Sequence, residues 1–298
     1  MFRSLRSPAM TLRLRDRSLD PAREPHLVGI VNVTPDSFYD RGSTADSAAA
    51  IQRGLVLAAS GATVVDVGGM TAQPGAPVSV DVEAARVVPV IEGIRAASDV
   101  VISVDTYRAQ VAAAALAAGA DMVNDHTGLS DPGLAAVIAE RRAGLVITHL
   151  GLRPKQPQTG RYEVDPAEIG EVLRRLSEQA LAAGVAQDAI AIDPGLGFGK
   201  STTTDLATLR ALPDLLAIGP PVLLACSHKE VTAEPLGLPE ETLEGTAAVV
   251  AVAAYLGVQL LRVHDLPFMA RVAQMGALLR QPGTDRSGAN SGRNLPSR

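Results

Sequence analysis

Short runs of β-branched and aliphatic residues alternate along the chain with alanine-rich stretches whose apolar positions recur at helical spacing. This alternation is typical of βα units that build a parallel sheet. It predicts eight strands: LVGIVNV, TVVDV, VVISV, MVN, GLVITH, AIAI, PVLLA and QLLRV. It also predicts helices around 45–60, 82–97, 107–118, 133–142, 167–184, 203–211, 241–256 and 267–279. Glycines follow several of these helices (Gly61, Gly119, Gly184 and Gly257), as expected for left-handed helix stops.

Eight strands that alternate with eight helices predict an α/β protein, a single (β/α)8 barrel, whose usual size matches a chain of 298 residues. A doubly wound open sheet is the alternative. Such a sheet usually has a glycine-rich first turn, whereas the turn here reads Asn-Val-Thr-Pro-Asp. We expect the barrel over residues 25–280, a flexible basic N-terminal tail over 1–24 and a disordered C-terminal tail over 281–298.

The composition narrows the range of partners. With 47% hydrophobic and 20% charged residues, the chain can bury a full core. Its net charge of −5 gives no reason to expect nucleic acid or an anionic membrane as a partner. No apolar run is long enough to span a bilayer, and the N-terminus lacks the apolar middle of a secretory signal, so we expect a cytoplasmic protein. The single cysteine, Cys226, is expected in the core.

Polar side chains follow most of the predicted strands. Taken singly, each is an ordinary cap or turn residue. In a (β/α)8 barrel the carboxyl ends of the strands meet on one face, so together they predict a ligand pocket. In chain order they are Asn32, Asp66, Asp105, Asn124, His149, Asp193, the segment 227–230 (Ser-His-Lys-Glu), Arg262 and His264.

The residue types in this pocket favour one kind of ligand. Two carboxylates (Asp105 and Asp193) and an amide (Asn124) suit a heterocycle edge rich in N–H donors. Lys229 and Arg262 could bind a carbonyl or anionic oxygens, or could instead pair with the acids. The inventory fits an aminopyrimidinone better than a sugar phosphate. GLGFGKS (195–201) is one residue too short for a phosphate-binding loop, and the five histidines show no zinc-ligand spacing.

Six segments in order resemble the dihydropteroate synthases. They are IVNVTPDSFYDRG (30–42), DVGG…PGA (66–76), SVDTYRAQVAAAALAAGADMVND (103–125), DPGLGFGK (193–200), EGTAAVVA (244–251) and RVHD (262–265). The resemblance runs from about residue 27 to 280. It implies a homodimeric (β/α)8 barrel that condenses a hydroxymethyl-dihydropterin pyrophosphate with para-aminobenzoate in folate biosynthesis.

The resemblance also implies roles for individual residues. Asp105 and Lys229 would be catalytic, and Asn124 and Asp193 would hold the pterin together with them. A fixed carboxylate beside the ring would stabilise the pterin cation left when pyrophosphate departs. Residues Arg262 and His264 match the pyrophosphate side, and Asn32 matches the residue near Mg²⁺.

Two loops depart from the family pattern. Where the family usually reads Gly-Gly-Glu-Ser-Thr-Arg-Pro-Gly, residues 68–75 read Gly-Gly-Met-Thr-Ala-Gln-Pro-Gly, so Gln73 replaces a phosphate-pairing arginine. Where the family usually has Ser-Arg-Lys-Ser, this chain has Ser-His-Lys-Glu, so Glu230 stands where the aminobenzoate carboxylate would dock.

These departures predict a pterin-binding synthase homologue with weak or absent condensation. An active synthase with drifted loops and a non-catalytic pterin-binding protein are alternatives. A pterin-dependent methyltransferase is less favoured, because zinc-binding cysteines and a cobalamin module are missing from the sequence.

Overall fold

The computed structural model describes residues 11–20, 25–33, 44–70, 77–151, 161–237 and 242–280. Eight parallel strands form one sheet: β3 (His26–Asn32), β4 (Val64–Gly68), β5 (Val101–Asp105), β6 (Met122–Asp125), β7 (Gly144–Thr148), β8 (Ile190–Asp193), β9 (Leu223–Ala225) and β10 (Leu260–Val263). Their spatial order is β8-β7-β6-β5-β4-β3-β10-β9. A parallel bridge between Ile192 and Val222 brings the two ends of this sheet together. The predicted (β/α)8 barrel is therefore confirmed, and the open doubly wound sheet is wrong.

Helices follow the strands and cover the outside of the barrel. They are α1 (Thr44–Ala59), α2 (Val80–Ala97), α3 (Ala109–Ala117), α4 (Leu134–Arg141), α5 (Pro166–Ala182), α6 (Thr202–Arg210), α7 (Leu212–Leu216), α8 (Leu243–Leu256) and α9 (Leu266–Arg280). The four glycines predicted as helix stops all have positive φ angles. Helix α7 was not predicted; Pro213 at its second position suits the start of this short helix. None of the helices in the described part of the chain is long and apolar enough to cross a membrane.

The expected flexible tail over 1–24 is wrong for its described part, residues 11–20. Strands β1 (Leu12–Leu14) and β2 (Arg17–Leu19) form an antiparallel hairpin. Its three leucines are buried in an apolar cluster with the side chains that point into the barrel from its strands. Burying each leucine contributes about 1.5–3 kcal/mol. The hairpin thus closes the amino-terminal end of the barrel.

The arginines of the hairpin also have partners on the barrel. Arg15 donates to the carbonyl oxygens of Leu116 and Ala120 at 3.0 Å each. Arg17 lies 3.3 Å from the buried carboxylate of Asp121. The basic residues of this segment, which the sequence analysis assigned to a flexible tail, therefore attach the hairpin to the barrel. The predicted tail over 281–298 lies outside the described residues.

Candidate functional site

The register of the sheet aligns polar residues at the carboxyl ends of neighbouring strands. Asn32 pairs with Gly68, Gly68 with Asp105, and Asp105 with Asn124 across β3 to β6. These four positions therefore lie in one row at the end of the barrel opposite the hairpin. A row of this kind is where (β/α)8 barrels bind their ligands.

An ionic network joins the centre of this row to strand β10. Arg262 donates through Nε to Oδ2 of Asp66 at 2.7 Å and through Nη2 to Oδ2 of Asp105 at 3.0 Å. Asn124 Nδ2 donates to the same oxygen of Asp66 at 3.1 Å. Asp66 is completely buried, and its Oδ1 has no hydrogen-bond partner among the described residues. The guanidinium thus neutralises a buried acid and also holds an acid that lines the pocket.

His126 is a member of the site that the sequence reasoning missed. It follows β6 directly, and its Nδ1 lies 2.7 Å from Oδ1 of Asp105. The sequence carries the signal, since His126 stands two residues beyond Asn124, the last residue of the predicted strand MVN. Asp105 is therefore held on both oxygens, by His126 on one and by Arg262 on the other.

The charges of this pair support each other. Burial alone would raise the pKa of Asp105, but the His126 imidazole and the Arg262 guanidinium outweigh burial and lower it. Burial alone would lower the pKa of His126, and the carboxylate of Asp105 reverses this and raises it. Each of the two groups thus favours the charged form of the other.

Lys229 and Asp193 form the opposite side of the pocket. The ammonium of Lys229 lies 4.9 Å from the ring centroid of Phe198, within cation–π range, and donates to the carbonyl oxygen of Leu196. Oδ1 of the buried Asp193 accepts from the backbone N–H of Gly195 at 2.7 Å. Burial raises the pKa of Asp193 although Lys229 opposes the shift, and burial lowers the pKa of Lys229.

The segment between β8 and α6, 194–201, is held against the barrel by internal contacts. Gly195 has a φ of +70°, and a Cβ there would lie 2.2 Å from the carbonyl oxygen of His149. Lys200 Nζ is buried and donates to the Gly195 carbonyl oxygen at 2.6 Å. Burial lowers the pKa of Lys200 to about 8 and raises that of Asp205, which accepts from the backbone N–H of Gly197, to about 6. The loop thereby presents Phe198 to the pocket.

His264 lies at the edge of the site, beyond β10. Its Nδ1 is 3.1 Å from Oγ of Ser227, and its carbonyl oxygen accepts from Arg53 at 3.2 Å. Burial, and after it the charge of Arg262, lowers the pKa of His264 to about 4. The imidazole is neutral at pH 7, so it can contact an anion as a hydrogen-bond donor rather than as a charge.

Glu230 lies at the rim of the pocket and forms an ion pair with Arg161. Its carboxylate is 2.8 Å from Nη2 of Arg161, and the other terminal nitrogen of Arg161 is 2.9 Å from Glu234. The side chain of Glu230 is 67% exposed. Two acids therefore share one guanidinium here, leaving an excess of negative charge at this edge. Gln73 lies outside the described residues.

The described residues contain no group of three or more His, Cys, Asp or Glu side chains arranged to hold a metal. Asn32, the predicted Mg²⁺ contact, is exposed at the end of β3 beside Gly68. A single exposed amide oxygen is compatible with Mg²⁺ that keeps several waters and is bound mainly through substrate phosphates.

The structure thus brings most of the predicted site residues into one pocket: Asn32, Asp105, Asn124, Asp193, Lys229 and Arg262. Asp66 and His126 join them as buried partners of this set. His264 and Glu230 lie at its edges.

The fold and the pocket define the class of protein: a (β/α)8 barrel whose acids and bases form a cluster at the carboxyl ends of its strands. A family model described as pterin binding enzyme matches residues 28–264. The chain belongs to this pterin-binding enzyme family.

Its relatives are dihydropteroate synthases and their paralogues. The inactive dihydropteroate synthase 2 of Mycobacterium tuberculosis is 47% identical over 264 residues, which cover 85% of this chain and 82% of that protein. The dihydropteroate synthase of Bacillus subtilis is 39% identical over 261 residues, covering 86% and 90%. The solved structure of Xanthomonas albilineans dihydropteroate synthase with 4-aminobenzoic acid has a TM-score of 0.83 at 39% identity, covering 92% of this chain and 100% of that one. This chain is a divergent homologue of dihydropteroate synthase.

Proposed function

We propose that the protein binds a hydroxymethyl-dihydropterin pyrophosphate and condenses it with para-aminobenzoate weakly or not at all. The observation that carries the proposal is the contrast between the two sides of the pocket. The acids, amide and bases around Asp105 form one connected network. The rim where an acceptor carboxylate would enter instead carries Glu230 and Glu234 on a single arginine.

The connected side of the pocket suits a pterin. An aminopyrimidinone ring offers N–H donors and a carbonyl oxygen, and the pocket offers carboxylates (Asp105, Asp193), an amide (Asn124) and an ammonium (Lys229). The carboxylate of Asp105 would also stabilise positive charge as it develops on the pterin. We therefore assign the catalytic roles in any residual condensation to Asp105 and Lys229.

The rim of the pocket disfavours an anionic acceptor. A carboxylate that approaches Glu230 meets like charge, which lowers affinity, and Arg161 is already shared by two acids. The resemblance to a protein named inactive dihydropteroate synthase 2 agrees with this interpretation. An active synthase is the second candidate, and the complete pterin side favours it.

We also propose Mg²⁺ as a companion of the pyrophosphate. Asn32 would supply one oxygen ligand and Mg²⁺ would neutralise the leaving group, while Arg262 and His264 would contact the phosphates. Because a pyrophosphate ester is highly charged and does not cross a bilayer unaided, a cytoplasmic location suits this substrate.

We further propose that the protein is a homodimer through helices α8 and α9. The two helices pack so closely at Gly276 that a Cβ there would lie 2.4 Å from the Ala251 carbonyl oxygen. Around this crossing, several large apolar side chains are more than half exposed: Val252, Tyr255, Met275, Leu278 and Leu279. An apolar patch of this kind marks an interaction surface.

Isothermal titration calorimetry with the pterin pyrophosphate and Mg²⁺, followed by a pyrophosphate-release assay with para-aminobenzoate, tests the proposal. We expect micromolar pterin binding with little or no release. Rapid release at micromolar aminobenzoate would establish the active synthase. Absence of pterin binding would overturn both candidates. Asn124→Leu is a useful variant, since it removes a pocket amide and is expected to weaken pterin binding.

A further inference from the structure

The imidazole of His126 is fixed inside the pocket by three neighbours. Its Nδ1 contacts Asp105 at 2.7 Å, its ring meets Tyr107 edge-on at 5.9 Å, and it lies nearly parallel to the Phe198 ring with centroids 6.2 Å apart. Only 7% of the residue is exposed. His126 is therefore held in one orientation, and the group it faces is the acid to which the pterin chemistry is assigned.

The bond between the two residues has a defined direction. The carboxylate of Asp105 has a lowered pKa, so it is ionised and can only accept. Nδ1 of His126 must then carry the hydrogen and donate to Oδ1. The proton that His126 gains or loses on titration is therefore the one on Nε2, and this proton decides whether the hydrogen-bond donor is charged. A charged donor makes a hydrogen bond about twice as strong as a neutral one.

Each oxygen of Asp105 thus accepts one hydrogen bond before any ligand arrives, and the two donors differ in how firmly they are anchored. Arg262 is held by the completely buried Asp66 at 2.7 Å and stays charged. His126 has no comparable second anchor among the described charged groups. A pterin N–H that binds Oδ1 of Asp105 therefore shares this acceptor with Nδ1 of His126, and the two donors compete for its negative charge.

The charges around His126 favour its protonated form. Among the described residues, four charged groups on four different elements interact with His126. A fifth, Lys229, follows β9 and interacts with Asp105, the partner of His126. The four are Asp105 on β5, Asp125 on β6, Glu83 on α2 and Arg262 on β10. Three are acids and one is a base, and the pKa of His126 is raised above 6.5 in spite of burial.

We propose that His126 is a positioning residue that competes with the pterin for Asp105, so that pterin affinity falls as His126 becomes protonated. The inference rests on the proposed pterin-binding function and adds to it a pH dependence of pterin affinity. It also adds a second cause of weak condensation. An imidazolium beside Asp105 offsets the negative charge that would stabilise a cation developing on the ring.

Two measurements on the full-length protein test this proposal. The first is the NMR titration of His126 without ligand. It should titrate above pH 6.5, and Asp105→Asn should lower its pKa; a titration below 6.5 that Asp105→Asn leaves unchanged would overturn the proposal. This result does not depend on pterin binding.

The second is calorimetry with 6-hydroxymethylpterin, which carries no phosphate, between about pH 9 and about pH 6. Affinity of the unmodified protein should fall on acidification through the pH range in which the first measurement finds His126 to titrate, with a slope of at most about tenfold per pH unit for one linked proton. His126→Val and His126→Gln should bind more tightly at the acidic end and lose this slope. His26→Gln, at the opposite end of the barrel, should keep it.

The outcomes separate the two proposals. No binding by any variant at any pH would overturn the proposed function, while the ligand-free titration could still establish the His126–Asp105 pair. Binding with the same pH slope in the unmodified protein and in both His126 variants would overturn the inference and leave pterin binding intact. If His126→Val does not fold, His126→Gln, which keeps a neutral donor of similar reach, carries the comparison.

Discussion

Nη2 of Arg161 lies 2.8 Å from Oε2 of Glu230, and this contact occupies the rim of the pocket. Arg161 precedes helix α5 and Glu230 follows strand β9, so the pair joins the loops that follow β7 and β9. Glu234 contacts the same guanidinium. An arginine that could attract an acceptor carboxylate is thereby neutralised by the protein itself.

Replacing Glu230 with serine should strengthen the binding of para-aminobenzoate to the pterin-loaded protein. The change removes a like charge and leaves Arg161 with one acid instead of two. We expect a gain of about three- to tenfold, as for one repulsive contact in a water-exposed setting. Calorimetry measures it.

The control is Glu234→Gln, which removes the same charge and the other partner of Arg161 but leaves Glu230 in place. An equal gain in both variants would show that only net charge matters. Adding Gln73→Arg to Glu230→Ser should raise pyrophosphate release further, because a guanidinium opposite phosphate restores a charge-assisted contact.

Replacing Arg262 with methionine should destabilise the fold by about 3–5 kcal/mol, because Asp66 is completely buried and would lose its charged partner. Urea unfolding measures the loss. The double variant Arg262→Met with Asp66→Asn should recover part of it, since no buried charge is then left unpaired.

The matched control is Arg13→Met, which breaks an exposed ion pair with Asp188. It should cost about 1 kcal/mol or less. If Arg262→Met also lost only about 1 kcal/mol of stability, the assignment of Arg262 as the neutralising partner of Asp66 would be contradicted.

The protein should lose stability as the pH falls from 6.5 towards 4, and His149 contributes to the loss. Burial lowers its pKa to about 4, whereas the unfolded chain has a value near 6.5. Between these values the unfolded state binds more protons, so acid favours unfolding. The two pKa values differ by about 2.5, which at 1.36 kcal/mol per pKa unit corresponds to about 3 kcal/mol of unfolding free energy.

Urea unfolding at several pH values measures this dependence. His149→Gln should flatten the acid branch, and His26→Gln should not. An acid branch that His149→Gln leaves unchanged would show that other groups dominate the acid sensitivity.

The exposed apolar patch on α8 and α9 predicts a dimer, and charges introduced into this patch should dissociate it. Val252→Glu together with Met275→Glu should convert the dimer to a folded monomer, because a charge inside an apolar interface has no partner. Light scattering after gel filtration measures the mass. Leu181→Glu, an exposed leucine on α5, should leave the mass unchanged. A monomeric unmodified protein would contradict the prediction.

Strand periodicity predicted the barrel and the positions of Asp105, Asn124 and Lys229, because parallel strands bring their carboxyl ends together whatever the loops do. The hairpin was not predictable from three leucines interleaved with arginines. Its burial depends on the open end of a barrel formed by residues far away in sequence. The same holds for Arg161 with Glu230, which are 69 positions apart and meet only through tertiary structure. His126 could have been found as the basic residue that follows β6.

The most direct test of the proposed function is the rate at which pyrophosphate is released from the pterin pyrophosphate in the presence of Mg²⁺. The rate is measured at increasing concentrations of para-aminobenzoate. Pterin binding is measured on the same protein preparation. The protein should bind the pterin and release pyrophosphate slowly or not at all at micromolar aminobenzoate, with Gln73→Arg/Glu230→Ser faster. Rapid release by the unmodified protein, saturating at micromolar aminobenzoate, would contradict it.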